Sequence, residues 1–476
     1  MTHTHSPSRR QLLKSGLGLA ALTGPTAFAL DLTHMSAMAA ESAGSNDYKA
    51  LICLFLYGGN DQSNTVLDTR PDAWREYERM RVGSIGLGAP GSAKNAVLPV
   101  RPNNLSAYGN AGVELALHPQ LVKTRELFRQ RRLAVVANVG PLIEPTTPDQ
   151  YRQRLTRLPP HLYSHNDQQS VWQTMHPEGS HPGWGGRMMD MLASANNSST
   201  LFASAISPST LSYPWLNGRA IQPYSIPLAG DIGIQLVGHL NRQAIKTALR
   251  DILSERRDNN LLVKTYQEVH RRILDYQDIM TQNVVPDTHA SLLPIPPESN
   301  GHDALTRQLR AVARVIASRQ NLGVKRQVFF VHLAGFDTHD NQLGNHGRLM
   351  TQLDLGLDYF DRQMKALGVA NQVTMFTASE FGRGMTSNGT GTDHGWGSHH
   401  FVCGGAVNGG MLYGRFPNFG KDAGDDVDGR LVPQFSVEQY AASLGRWFGL
   451  STSDLHQLFP NLFAFSSSPS PDFMKA

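Results

Sequence analysis

Four short stretches of this 476-residue chain gather carboxylates, imidazoles and small residues. They are Gly58-Gly59-Asn60-Asp61, Gly335-Phe336-Asp337-Thr338-His339-Asp340-Asn341, Ser379-Glu380-Phe381-Gly382-Arg383, and Gly391-Thr392-Asp393-His394-Gly395-Trp396-Gly397-Ser398-His399-His400. Six of the 19 histidines fall between His332 and His400, so the imidazoles are concentrated where the acids are. If Asp61, Asp337, His339, Glu380, Asp393 and His394 meet at one place, their like charges repel, and one carboxyl would have to take up a proton. A bound divalent cation removes that cost. Mixed carboxylate and imidazole ligation suits zinc or manganese first, with calcium or iron as further candidates. Any one of these residues, taken alone, is better explained as a helix cap or turn residue. Arg383 has two readings of equal weight: beside a metal it would clamp a phosphate or sulfate bidentately, and otherwise it would pair with Glu380. His399 and His400 are adjacent, so on a strand they face opposite ways and only one can join a site.

The elements that must position these groups follow from hydrophobic patterning. Ala50 to Tyr57 is an unbroken apolar run ended by Gly58-Gly59, as suits a strand buried on both faces. Pro119 to Arg131 reads as a helix opening on Pro, and Leu133 to Ala137 as a second buried strand. A helix around Leu305, Leu309, Val312 and Ile316 leads to the strand Val328–Val331. Leu349, Leu353, Leu357, Phe360, Met364 and Leu367 recur at helical spacing, closed by Gly368, and the strand Val373–Thr377 comes next. Helix and strand alternate, which predicts an α/β fold: a mainly parallel sheet with helices on both faces. In such sheets ligands bind at the carboxyl ends of the strands, where the acidic and histidine-rich stretches lie. The middle differs. Residues 190–300 read as an insertion on the core, with a Ser/Pro/Asn/Gly-rich loop, two amphipathic helices near 239–256 and 260–282, and a linker from Pro286 to Pro297.

The N-terminus carries a different message. Ser8-Arg9-Arg10-Gln11-Leu12-Leu13-Lys14, a mild apolar stretch from Leu17 to Leu30, and Ala37-Met38-Ala39 have the order of a twin-arginine signal peptide over residues 1–39. Export of the folded chain into the periplasm or cell envelope is the expectation, with 40–476 as a single α/β domain. The apolar stretch is too short and weak for a membrane span, and no other stretch is long enough. The formal net charge is +4, with no basic run of nucleic-acid type, so no nucleic-acid partner is expected. Cys53 and Cys403 sit in apolar strand-like runs and read as buried free thiols.

Taken together, the leader, Gly58-Gly59-Asn60-Asp61, Ser164-His165, Asp337-Thr338-His339, Ser379-Glu380-Phe381-Gly382-Arg383 and Thr392-Asp393-His394-Gly395 running into Phe401-Val402-Cys403-Gly404-Gly405 resemble the domain-of-unknown-function 1501 family. The resemblance covers essentially the whole mature chain and implies a fold similar to the alkaline-phosphatase-like superfamily. It also implies roles. Asp61, Asp337, His339 and His394 match metal-binding positions, and Ser164, before the helical-looking Asp167–Met175, matches a nucleophile at a helix start. A plain cap residue is an equal reading of Ser164. Two departures stand out. Glu380 replaces the expected Asp and Phe381 the expected His, so either Asp393-His394 fills the gap or one metal position is lost. The gap from Asp61 to Ser164 is also long for the pattern.

The leading functional expectation is a metal-dependent hydrolase of phosphate or sulfate esters, with Ser164 or a water attacking. The alternative is a non-catalytic envelope protein binding a polysaccharide or protein partner, for which Tyr213, Trp215 and Tyr224 of the insertion should be exposed. A metal-dependent isomerase or transferase on the same fold is the third.

Overall fold

A nine-residue strand, β1 (Lys49–Tyr57), runs through the middle of the sheet because nearly its whole length is apolar. Its side chains alternate between two layers: Ala50, Ile52, Leu54 and Leu56 enter one apolar cluster, and Leu51, Cys53 and Phe55 enter the opposite one. This is the computed structural model of the chain, and it describes residues 48–475 apart from 82, 84, 180, 198–204, 210–212, 229–241, 255–260, 300–302, 420–423 and 468–469. The leader expected over 1–39 lies outside the described residues.

The other strands of the main sheet are β2 (Leu133–Gly140), β3 (Ala205–Ser207), β4 (Tyr224–Ser225), β5 (Arg326–Ala334) and β6 (Val373–Ala378). A small hairpin, β7 (Arg383–Ser387) and β8 (Thr392–His394), precedes β9 (Ser398–Gly404), β10 (Leu412–Tyr413) and β11 (Phe435–Ser436). The main sheet has the order β10-β2-β9-β6-β1-β5-β3-β4, with β11 beside β2. All its pairings are parallel except those of β9, which runs antiparallel to β2 and β6. The expected α/β class is what the structure shows.

Helices cover both faces. The helices that matter below are α1 (Gln62–Thr65), α2 (Val122–Arg129), α3 (His165–Thr174), α4 (Ala304–Ala317), α5 (Gln342–Ala366) and α6 (Val437–Phe448). Helices α2, α4 and α5 pack on one side, while α3 and α6 pack on the other. Some start on a local cap, such as the Ser436 capping box of α6, while the first N–H groups of α2 are held by Asp354 of α5. The Asp303 carboxylate accepts from the backbone N–H groups of Leu305 and Thr306 and so caps α4, a contact that stabilises by about 1 kcal/mol.

Two features of the middle segment differ in character from a free-standing insertion. β3 and β4 extend the sheet beyond β5, and Met280 of the 261–283 helix joins the core layer under α4 and α5. Tyr213 and Trp215 are 5% and 1% exposed, the first stacked on Phe330 and the second edge-to-face with Trp184, rather than displayed. Cys53 and Cys403 are buried free thiols on β1 and β9, with β6 running between them.

Strands β1, β5 and β6 are adjacent and parallel, so Gly58, Gly335 and Ser379 emerge together at one edge. The first two loops cross at very close range. Gly58 has φ +115°, and a Cβ there would lie 2.2 Å from the Asp337 backbone nitrogen. Only glycine lets the two loops meet in this way.

Candidate metal centre

Asp337, three residues beyond β5, is the hub. Its Oδ1 accepts from Arg383 Nη1 at 2.9 Å and lies 3.1 Å from His339 Nε2 and 3.2 Å from His394 Nε2. Its Oδ2 lies 3.4 Å from His165 Nε2. His394 reaches this point because the hairpin pairs it directly with Arg383. His165 reaches it as the first residue of α3, with Ser164 in the cap position. Side-chain exposures of 46% for Asp337 and His339, 30% for His165 and 21% for His394 leave the group open to solvent.

The histidines are held from behind. His165 Nδ1 lies 2.9 Å from Glu380 Oε1, and His394 Nδ1 lies 2.8 Å from the Tyr163 carbonyl oxygen. A carboxylate and a carbonyl only accept, so each Nδ1 carries a proton, and in the neutral imidazole each Nε2 presents its lone pair on the Asp337 side. Tyr163 adopts a left-handed backbone, φ 74°, a conformation that costs a bulky residue about 1–3 kcal/mol and that sets its carbonyl against His394. Imidazoles pinned at one nitrogen by a carboxylate or carbonyl, with the other nitrogen free, are the arrangement of metal ligands.

Electrostatics points the same way. His339 Nε2 and His394 Nε2 are 3.0 Å apart, and two bare lone pairs at that distance repel. Either one of the two nitrogens carries a proton or a cation lies between them. Burial opposes ionisation of Asp337, yet the hydrogen bond and charge of Arg383 hold its carboxyl below the usual carboxylate range. The hydrogen bond to Glu380 raises the His165 imidazole, while burial lowers His394. The residues His165, Asp337 and His394 offer ligand atoms all within 4.8 Å of one another. This donor set fits zinc, manganese or iron, and a single carboxylate suits calcium poorly.

The residues expected from sequence divide sharply. Asp337, His339 and His394 come together. Asp61 does not join them: it caps α1, and its carboxylate is closed by Arg81 Nη1 at 2.6 Å and Nη2 at 2.9 Å. Glu380 stands behind His165 and is fully buried; Oε1 accepts from Gly58 N, His165 and Gln169, and Oε2 has no partner. Asp393 alternates outward on β8, 63% exposed, with Oδ1 3.7 Å from His339 Nδ1. Ser164 Oγ donates to Asp167 Oδ2 at 2.9 Å, a bond that commits it to its own helix. His399 and His400 are both buried on β9 and neither joins the group: His399 Nδ1 accepts from Asn138 N, and His400 packs on Trp172.

Arg383 fits neither sequence reading. It pairs with Asp337, not Glu380, and its guanidinium is spent: Nε donates to Thr392 Oγ1, Nη1 to Asp337 and the Gly58 carbonyl, Nη2 to the Thr392 carbonyl. With no exposed surface it cannot clamp an anion from solvent. His165 is the member of this cluster that the sequence did not mark as a candidate ligand. Its signal was its place immediately after Ser164, at a helix start.

Glu380→Gln keeps the shape and the Oε1 hydrogen bonds while removing the charge behind His165. Metal affinity, read by competition with a chromophoric chelator, is expected to fall about ten- to a hundredfold. Unchanged affinity would remove Glu380 from the support of the centre.

Residues 48–443 match the family described as "Protein of unknown function (DUF1501)". The chain belongs to this family. No curated protein matches it. Among solved structures it is similar to Ps i-CgsB in complex with k-i-k-neocarrahexaose, at 8% identity over 88% of this chain and 76% of that one, TM-score 0.33. It is similar also to the PsFucS1 sulfatase from Pseudoalteromonas sp., at 9% identity over 90% and 73%, TM-score 0.34. A mutant of the alkaline phosphatase PafA matches at 12% identity over 72% and 64%, TM-score 0.21. Likeness this loose assigns no role to any residue of this member of the DUF1501 family.

Proposed function

We propose that this protein is an exported metal-dependent hydrolase of phosphate or sulfate esters, small or borne on an envelope polysaccharide. The observation that carries the reading is the orientation of His165 and His394, each fixed through Nδ1 so that Nε2 faces Asp337. Asp337, His165 and His394 would hold the ion, with His339 as a fourth donor. When bound, a divalent ion would supply Lewis acidity towards the ester and lower the cost of deprotonating a water.

Arg383 offsets Asp337, while Glu380 and Asp393 remain to balance a divalent ion, so attraction for an anionic ester would come from the open face of the ion and not from net charge. His339, backed by Asp393, stands on that side, where its Nε2 would complete the donor set. Ser164 is committed to Asp167, which favours attack by water. The non-catalytic reading loses two of its three aromatics, since Tyr213 and Trp215 are core residues and Tyr224 is half-buried.

The test is elemental analysis of protein recovered from the periplasmic fraction, wild type beside Asp337→Ala and His394→Ala, followed by a panel of aryl phosphates and sulfates. Wild type is expected to hold zinc, manganese or iron and to turn over at least one ester class; both variants should lose metal and activity while staying folded. Wild type without metal, even after incubation with zinc or manganese, would leave the binding-protein reading in front. Absence from the periplasmic fraction would refute export.

A further inference from the structure

Asp61 follows β1 as Asp337 follows β5, yet the two carboxylates are neutralised in different ways. We infer that this strand-end edge binds one metal ion, and that Arg81 is a built-in cation doing at Asp61 what a second ion would otherwise do. The inference rests on the metal-dependent reading of the His165–Asp337–His394 centre.

The Asp61 carboxylate is saturated. Oδ1 accepts from Arg81 Nη2 and from the Ser63 backbone N–H, and Oδ2 accepts from Arg81 Nη1 and Gln342 Nε2. A carboxylate offers about four lone-pair positions, so none is left for a metal. Both members of the pair are fully buried. Burial works against the charged form, but the Arg81 guanidinium keeps the Asp61 carboxyl below the ordinary range. The groups turned towards Asp61 are donors, and a metal would need acceptors there.

The neighbouring space is filled with carbon. Phe381 is 1% exposed, stacks on His394 with ring centroids 4.5 Å apart, and meets His165 at 4.9 Å. It also presses against Gly59, where a Cβ would lie 2.5 Å from the ring. An imidazole at this position could ligate; a phenyl ring cannot.

Neutral side chains join the two ion pairs. Gln342 donates to Asp61, while its Oε1 accepts from Thr392 Oγ1 at 2.6 Å, and Thr392 Oγ1 in turn accepts from Arg383 Nε at 3.3 Å. Each acid therefore has its own guanidinium. Only Asp337 keeps a face open to imidazoles and solvent.

The decisive measurement is metal content and coordination of the wild-type protein loaded with excess zinc and desalted. One equivalent per chain is expected, with an X-ray absorption spectrum showing imidazole scattering and no metal neighbour. Two equivalents, or a metal–metal vector at about 3.5–4 Å, would overturn the inference and leave the metal-dependent reading intact. No zinc at all would overturn both. A double variant, Asp61→Asn with Arg81→Gln, removes both charges and keeps the shapes. It is expected to retain one equivalent with affinity within threefold of wild type, whereas His165→Ala should lose zinc. Loss of zinc from the folded double variant would also overturn the inference. Because the wild-type count needs no variant, misfolding of the double variant leaves the test in force.

Discussion

Taking the protein from pH 7 to pH 4 is expected to unfold it, whether loaded with metal or stripped of it. His346, His399 and His400 are 1%, 3% and 1% exposed, and each is built to be neutral. His399 Nδ1 accepts from the Asn138 backbone N–H, so a proton there would break that bond. His400 lies against Trp172 and Tyr440 with its Nε2 buried and unpartnered, and His346 Nδ1 is likewise without a partner. Burial pushes His399 and His400 down to about 3 and His346 down to about 4. These values lie below the 6.5 of a free imidazole, so the unfolded chain binds the extra protons first. The stability is fully present above that value and is lost as pH falls towards the folded ones. At pH 4 each of the two lowest costs about 3 kcal/mol, and together they rival the ~5–15 kcal/mol that holds a domain folded. Tryptophan fluorescence and near-ultraviolet circular dichroism should collapse together between pH 6 and 4. His400→Phe, which keeps an aromatic ring and removes one proton site, should move the midpoint down by roughly half a pH unit. A native signal persisting at pH 4 would show that these imidazoles titrate without opening the core.

The same burial explains what could be read from sequence. The apolar runs of β1, β5 and β6 announced a parallel sheet because both faces are covered, and the residues after such strands must gather at one edge. That reasoning brought Asp337, His339 and His394 together. It failed for Asp61 because the deciding partner, Arg81, lies 20 residues further on, at the C-terminal end of the helix Pro71–Met80, and spacing does not show that this end turns back onto β1. It placed Glu380 at the right edge and on the wrong side of His165, since spacing does not tell whether a side chain reaches the ligand point or the imidazole that does. His165 itself arrives on α3, far from every strand end in the sequence. The left-handed turn at Tyr163 and the packing of both imidazoles on Phe381 hold α3 and the β8 hairpin together.

Arg383→Met should separate structure from substrate binding most cleanly. The side chain is fully buried, and its loss strands the Gly58 carbonyl, the Thr392 carbonyl and hydroxyl, and the charge of Asp337. Asp337 is half exposed and water can solvate its charge, so most of the cost comes from the stranded Gly58 and Thr392 groups. Each buried acceptor left unpaired costs about 1–3 kcal/mol, and the denaturant midpoint should fall. Arg383→Lys is expected to rescue little. An ammonium has three donors on a flexible stem and cannot span Asp337, Gly58 and Thr392 at once. Without the guanidinium the Asp337 carboxyl should also return towards its ordinary range, which NMR of the labelled carboxyl carbon in metal-free protein would detect. A residue that clamped substrate would behave otherwise: the variant would be as stable as wild type, with KM raised for the anionic ester and the Asp337 carboxyl unmoved. That result would return Arg383 to the binding surface and require it to leave Thr392 and Gly58 when substrate arrives. Loss of stability in both variants, with the Asp337 carboxyl raised, would place Arg383 beneath the centre as the cation that keeps Asp337 ionised and aimed.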